Sequence, residues 1–223
     1  MYCFSRVSQN CKEEGINTFL DEVTASEYFK KACDLKSKQV CYELGLYYDD
    51  HEKKVYDPKK ANELYEKSCN LDEGAACNAL GANIGGNVGV EFNEKKQLSL
   101  YEKACTLNNP DGCINLGVLY RNDKNDIKHA NELFIKACDL KGSYGCYFYG
   151  EALQKEENFK EAAIYHQKSC DLNNESACLD LAKLYQEGKG VTKDEVKAQE
   201  LFKKSCLLDE FEEACDFVKE ENK

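Results

Sequence analysis

The 223-residue sequence predicts an all-helical solenoid of about six helix-turn-helix repeats. Its 14 cysteines form seven pairs, six of them spaced eight residues apart and the last spaced nine. From Cys33 onward, the first members of the pairs recur after 36, 36, 33, 32 and 36 residues. A period in the mid-thirties is typical of helix-turn-helix repeats. The residues around each pair recur with the same period, which defines the helices of one unit.

The segment that ends at the first cysteine of each pair is predicted to be the second helix of a repeat. A small residue precedes that cysteine directly, and Leu follows it two residues later. Around Cys138 the apolar or small residues stand at 130, 133, 134, 137 and 140, the spacing of a helix with one buried face. One large ring stands four residues before each first cysteine: Phe29, Tyr65, Tyr101, Phe134, His166 and Phe202.

The segment that begins at the second cysteine is predicted to be the first helix of the next repeat. Leu44-Gly45, Leu80-Gly81 and Leu116-Gly117 share one register in it, and residues 149–150 and 181–182 vary that motif. A small residue there allows two helices to approach closely. Turn-forming residues lie between the paired cysteines, at 108–112, 141–145 and 173–176. Asp57-Pro58 predicts a helix start, with Asp as N-cap.

The cysteine spacing favours disulfides. Residues eight apart in one helix lie ~12 Å apart, whereas a disulfide needs Cα atoms within ~7 Å. The intervening turn brings two helix ends together, so each pair would link the second helix of one repeat to the first helix of the next. A metal site or free thiols are the alternative, although zinc prefers closer ligand pairs and the three His do not follow the period. The predicted disulfides are Cys3–Cys11, Cys33–Cys41, Cys69–Cys77, Cys105–Cys113, Cys138–Cys146, Cys170–Cys178 and Cys206–Cys215.

Charge and hydropathy argue against two classes of protein, and one charged residue is periodic. A net charge of −11 argues against a general nucleic-acid binder, which needs a positive field. No apolar run approaches the ~18–20 residues of a membrane span. A periodic lysine two residues before each first cysteine suits the negative end of a helix dipole and therefore has a structural role. These lysines are Lys31, Lys67, Lys103, Lys136, Lys168 and Lys204.

From seven predicted disulfides we expect an oxidising compartment, secreted or periplasmic, with another oxidising lumen as the alternative. Residues 1–10 do not have the pattern of a signal peptide. Because Cys11 fits the start of a first helix, we expect a truncated first unit at 1–32, with a helix, and with it a signal peptide, missing upstream; a true start at Met1 is the alternative. We expect a single solenoid over 1–223, a C-terminal capping helix at about 211–222, a monomer, no cofactor and no metal.

Repeated strings such as Lys136-Ala-Cys-Asp-Leu140 followed by Gly145-Cys146 resemble the SEL-like branch of the tetratricopeptide superfamily. The segment Leu184–Asp194 resembles it most. The eight-residue cysteine spacing is similar to that of the secreted Helicobacter cysteine-rich proteins, a family named as beta-lactamases. The resemblance implies a right-handed superhelix with disulfides within the repeats, and penicillin binding or beta-lactam hydrolysis. A mitochondrial cytochrome-oxidase assembly factor is a more distant match and implies import into the intermembrane space.

The residues do not supply the motifs of a beta-lactamase. No Ser has a Lys three residues later, and the Ser-Asp-Asn and Lys-Thr-Gly tripeptides do not occur. Ser26 and Ser99 have Lys30 and Lys103 four residues later, a spacing common on solvated helices. His51 and His129 are scattered, and His166 replaces an aromatic residue in a constant position, where we expect it to be packed. The catalytic residues are therefore unknown, and the enzyme reading rests on resemblance.

Recognition of a protein or peptide has better physical support. Stacked helix pairs form a curved surface that can hold an extended partner. The positions one, two and five residues after each second cysteine vary strongly within the constant framework. Among them, Glu43, Asn115 and Asp180 are the candidates to line the concave face and bind a peptide backbone, with ordinary solvent exposure as the alternative. A beta-lactam or a peptidoglycan-derived ligand is the other ligand class considered.

Overall fold

A computed structural model describes residues 30–209 and Cys215, and within them all regular secondary structure is helical. Residues 30–34 are helical, and ten further helices follow in that part of the chain. None of these helices is long and apolar enough to cross a membrane. The helices are α1 (Lys38–Asp49), α2 (Pro58–Asn70), α3 (Gly74–Gly85), α4 (Glu94–Thr106), α5 (Pro110–Asn122), α6 (Ile127–Asp139), α7 (Ser143–Lys155), α8 (Phe159–Asp171), α9 (Glu175–Glu187) and α10 (Glu195–Asp209).

The helices form five consecutive pairs, each with a first helix packed against its second helix. Each second helix also packs against the first helix of the next pair, and first helices contact each other directly, α3 with α5 and α5 with α7. This nearest-neighbour packing is that of a solenoid. The all-helical solenoid predicted from the cysteine period is therefore confirmed. We call the outer surface of α1, α3, α5, α7 and α9 the first-helix face.

A glycine and a ring hold each pair of helices together. A Cβ atom at Gly45, Gly81 or Gly117 would lie 2.5, 2.7 or 2.6 Å from the nearest ring carbon of Tyr65, Tyr101 or Phe134. The rings are buried, so the glycine provides the space into which the ring of the second helix packs. The prediction that small residues allow close helix packing is confirmed.

We expect Gly81→Ala to lower the free energy of unfolding by about 1–2 kcal/mol. The new methyl group would overlap the buried Tyr101 ring, and overpacking costs about 1–3 kcal/mol, partly offset by the better helix propensity of Ala. Urea unfolding followed by circular dichroism measures the change. Gly86→Ala is the matched control, because Gly86 is exposed with a φ of −81° that Ala adopts freely. The explanation is wrong if Gly81→Ala keeps its full cost in a Tyr101→Ala background.

The junctions between repeats share one turn. The recurring Leu is the C-cap of α2, α4, α6 and α8. The residue after this Leu is left-handed, with φ of 62° at Asp72, 60° at Asn108, 64° at Lys141 and 62° at Asn173, and Lys36, after Leu35, has a φ of 64°. After α4, the Asn109 N–H donates to the Ala104 carbonyl at 3.0 Å and the Asn108 N–H donates to the Cys105 carbonyl at 3.1 Å. This is a Schellman motif, which reverses the chain within the cysteine spacing.

The turn brings the paired cysteines together, with Cα–Cα distances from 4.5 Å at Cys105–Cys113 to 4.9 Å at Cys206–Cys215. No cysteine is free in the part of the chain that the structure describes. Each of the five disulfides from Cys33–Cys41 to Cys170–Cys178 links a second helix to the next first helix, as the spacing predicted, and so joins adjacent repeats rather than lying within one. The six disulfides are Cys33–Cys41, Cys69–Cys77, Cys105–Cys113, Cys138–Cys146, Cys170–Cys178 and Cys206–Cys215.

Two details of the predicted second helix differ in the structure. The recurring Leu does not extend the buried face, because the helix ends before it: Leu140 is a partly buried C-cap and Leu35 is 84% exposed. The periodic lysines do contact a helix C-terminus, but it is the C-terminus of the second helix in the preceding repeat. Lys103 Nζ donates to the Cys69 carbonyl at 2.7 Å, and Lys136 Nζ to that of Cys105 at 2.9 Å.

The truncated first unit, Cys3–Cys11 and the capping helix lie outside the described residues, apart from the stretch 30–32 and Cys215.

Candidate interaction surface

On the first-helix face, two neighbouring positions of each helix form the contact between repeats. Successive residues of an α-helix are rotated by about 100°. The residue directly after a second cysteine therefore faces the next repeat, and the residue after that faces the preceding repeat. Asn78 follows Cys77 directly and Asn115 stands two residues after Cys113, and the Asn115 Nδ2 donates to the Asn78 Oδ1 at 2.8 Å. Ile114 and Phe148 have the same relation within one apolar cluster.

The three predicted binding residues occupy one equivalent position on α1, α5 and α9, so the structure does not bring them together. All three are partly buried. Glu43 Oε1 accepts from Gln39 Nε2 at 3.0 Å, and Asn115 is bonded to Asn78. Asp180 lies near Tyr147: burial raises the pKa of the Tyr147 hydroxyl well above its usual value, and the Asp180 carboxylate raises it further. A role of these residues in ligand binding stays a prediction.

The Asn78–Asn115 pair keeps hydrogen-bond donors and an acceptor for a ligand. Their mutual bond uses one N–H of Asn115 and the oxygen of Asn78, and the structure records no other side-chain hydrogen bond of either residue within the described chain. The Asn78 amide N–H groups and the Asn115 carbonyl oxygen therefore remain available. Ala75 and Ala82 flank Asn78 on the same side of α3 and leave the pair accessible. Sequence reasoning missed Asn78, although the one-residue offset from Asn115 could have identified it.

A second part of the first-helix face is aromatic. The Arg121 guanidinium lies 4.8 Å from the centre of the Phe148 ring, and its Nη1 is 3.9 Å from Glu151 Oε2. The Tyr144 ring, 49% exposed, is 6.1 Å from the Phe148 ring. These four side chains of α5 and α7 thus present a polar and aromatic surface, and α5 also carries Asn115 of the Asn pair. Neither Tyr144 nor Arg121 was singled out by the sequence pattern.

The residues considered for catalysis do not form a site. Lys103, four residues after Ser99, is held by the Cys69 carbonyl and by Asp72 Oδ1 at 2.9 Å. His166 is fully buried beside Gly150, as predicted, with its Nε2 3.0 Å from Gln154 Oε1. Burial lowers the pKa of His166 to about 4, so its imidazole is neutral at pH 7. His51 is exposed, and His129 stacks on Tyr120.

Ser26 lies outside the described residues. Within the described part of the chain, no cluster of three or more His, Cys, Asp or Glu side chains is arranged to hold a metal ion.

The fold and this surface define a class of protein, the disulfide-linked scaffold of short helical repeats. Six segments of the chain match the Sel1 repeat, at residues 6–37, 39–73, 74–109, 110–141, 143–174 and 175–210. The chain therefore belongs to the Sel1 repeat family. The segments 39–73 to 175–210 each correspond to one of the five helix pairs.

Among curated proteins, the chain is similar to the candidate beta-lactamase HcpC of Helicobacter pylori, with 43% identity over 44 residues. That match covers 20% of this chain and 15% of HcpC, so most of the length of this relative is not matched.

Solved structures share the fold. A protective antigen, c5321, of uropathogenic Escherichia coli superimposes with a TM-score of 0.78 and 24% identity, over 88% of this chain and 44% of that one. A Sel1 repeat protein from Oxalobacter formigenes gives a TM-score of 0.73 and 20% identity, over 90% and 81% of the chains. The immunity protein PA5087 of Pseudomonas aeruginosa gives 0.62 and 21%, over 94% and 84%. At these identities the likeness concerns the fold alone.

Proposed function

We propose that the chain is an extracytoplasmic scaffold that binds an extended segment of a partner protein along the first-helix face. The observation that carries this proposal is the Asn78–Asn115 pair, which crosses from one repeat to the next. A peptide group offers one N–H and one C=O, and the pair offers the complementary oxygen and amide N–H groups. Such a contact recognises the backbone of the segment, while the aromatic surface around Tyr144 contacts its side chains.

The disulfides support the proposed compartment. Disulfides persist in oxidising environments and are rare in a reducing cytosol. Ten of the 12 cysteines in the described disulfides are buried, and they connect every described pair of helices to the next. A chain that depends on so many disulfides folds stably outside the cytoplasm, in the periplasm or in the extracellular space.

A random peptide library displayed on phage tests the binding proposal. We expect the full, oxidised chain to enrich specific clones, and the corresponding synthetic peptides to bind with an affinity that falls about tenfold or more in the double variant Asn78→Ala/Asn115→Ala. Losing two hydrogen bonds to a ligand backbone costs on the order of 1–3 kcal/mol. Replacing both partners together leaves neither side chain unpaired, so the fold is retained.

Asn70→Ala, at an exposed position of α2, is the matched control and should leave binding unchanged. Failure to enrich any clone, or equal loss of affinity in the control, would refute the proposal.

Hydrolysis of beta-lactams is the second candidate function, and it is supported by the 44-residue similarity to HcpC. The contacts of Lys103 and His166 weaken it, because both side chains are engaged in structural hydrogen bonds. Turnover of a chromogenic cephalosporin by purified protein is the measurement. We expect no rate above that of a sample purified in parallel from cells without the gene, and a rate that follows the protein through a second chromatographic step would overturn that expectation.

A further inference from the structure

One disulfide differs from the others in its surroundings. In the five disulfides from Cys33–Cys41 to Cys170–Cys178, every cysteine is at most 6% exposed. Cys206 and Cys215 are both partly exposed. Cys206 lies in the last turns of α10, at the C-terminal end of the described array, where it packs only at the edge of the apolar cluster formed by α8, α9 and α10. Within the described residues, five disulfides are therefore buried, whereas both cysteines of this one are partly exposed.

We infer that Cys206–Cys215 is a site of thiol-disulfide exchange, which a dithiol reduces in the folded protein while the five internal disulfides stay intact. Exchange requires a thiolate to reach one sulfur of the bond, so its rate depends on access. The buried disulfides become accessible only when a repeat opens, whereas Cys206 and Cys215 are partly exposed in the folded chain. The difference does not come from the loop, because one additional residue hardly changes the entropy of loop closure.

The reaction balances with a dithiol as the only co-reactant. Its thiolate attacks one sulfur of the Cys206–Cys215 bond, forms a mixed disulfide and releases the other cysteine as a thiolate. The second thiol of the reductant then displaces the protein sulfur and closes its own disulfide. Two electrons pass to the protein, which gains two thiols. Cys215 is then no longer covalently linked to α10, while the five internal disulfides remain intact.

Timed reduction of the native, full chain with dithiothreitol, followed by alkylation and peptide mass spectrometry, tests the inference. We expect alkylation at Cys206 and Cys215 at least tenfold faster than at the five internal pairs, with the helical circular dichroism signal retained when two thiols have appeared. In concentrated guanidinium the pairs should react at similar rates, because the fold no longer protects them. An internal pair that reacts as fast in the native protein would overturn the inference.

The double variant Cys206→Ser/Cys215→Ser tests whether the fast reduction of this disulfide reflects its own exposure or a loss of stability in the whole array. We expect its five internal pairs to be reduced as slowly as in the parent chain. If they become tenfold faster, the terminal disulfide protects the whole solenoid, and its selective reduction in a folded protein is refuted. The outcome is independent of peptide binding on the first-helix face, since that surface takes no part in the reaction.

Discussion

Complete reduction of the disulfides is expected to unfold the solenoid at 37 °C. Closing a loop of eight residues contributes ~2.5 kcal/mol by the chain-entropy estimate, and the six described disulfides together contribute on the order of 15 kcal/mol. The net stability of a typical domain is ~5–15 kcal/mol, so their loss removes a share comparable to the whole. The measurement is the helical ellipticity of the reduced and alkylated chain, compared with that of the oxidised chain. A reduced chain with an unchanged urea midpoint would contradict this account.

Removing one internal disulfide tests whether each disulfide stabilises the repeats next to it. Removing Cys105–Cys113 by substituting Ala at both positions should lower the free energy of unfolding by about 2–3 kcal/mol. Because each repeat contacts only its neighbours, we expect hydrogen exchange to accelerate first in α4 and α5. Removing Cys206–Cys215 in the same way is the control, since α4 and α5 do not contact it, and it should leave hydrogen exchange in α4 and α5 unchanged. Equal acceleration of exchange in α4 and α5 by the two variants would show that the junctions do not act locally.

Acidification is expected to destabilise the protein through His166. Its pKa is lowered to about 4 by burial, whereas an unfolded His titrates near 6.5. Between these values the unfolded chain binds more protons than the folded one, so the free energy of unfolding falls as the pH decreases from about 6.5 to about 4. The largest loss from this one residue is about 3 kcal/mol. Protonation would also place a proton on Nδ1, which has no hydrogen-bond partner in the described structure.

The variant His166→Phe isolates this contribution, because Phe134 occupies the equivalent position over Gly117. Urea unfolding at pH 7 and pH 4.5 should show a smaller difference in the variant, by about 2 kcal/mol or more. The exposed His129→Gln variant controls for the loss of an imidazole elsewhere. The interpretation fails if the parent chain and His166→Phe lose stability equally on acidification.

Most of the fold could be predicted from the sequence because its signals are periodic and local. The ring at Tyr101 and the glycine at Gly81 stand at fixed distances from their cysteines, and the turn residues explain why those cysteines meet. The exposed Leu35 was less predictable, since a Leu at a C-cap and a Leu on a buried helix face look alike in a repeat pattern. A helix-end role of Lys103 could be predicted, and it does lie in the last turn of α4, but its contact with the Cys69 carbonyl of the preceding repeat could not.

The candidate surface was predicted only in part. Asn115 was selected because its position varies between repeats, but its partner Asn78 lies one repeat earlier and at a different offset. The arrangement of Arg121 over Phe148 combines residues of α5 and α7 that no short motif relates. Such contacts depend on how far one repeat is rotated against the next, which a pattern within a single repeat does not contain.

The sequence by itself determined the helix pairs, their period and the pairing of the cysteines in the six described disulfides, because each of these depends on residues close together in the chain. Only the tertiary structure decided which sulfurs are buried, which polar groups of the first-helix face remain available and which ring nitrogen of His166 lacks a partner. Those properties depend on the stacking of neighbouring repeats, and stacking sets burial and distance between residues about 30 or more positions apart.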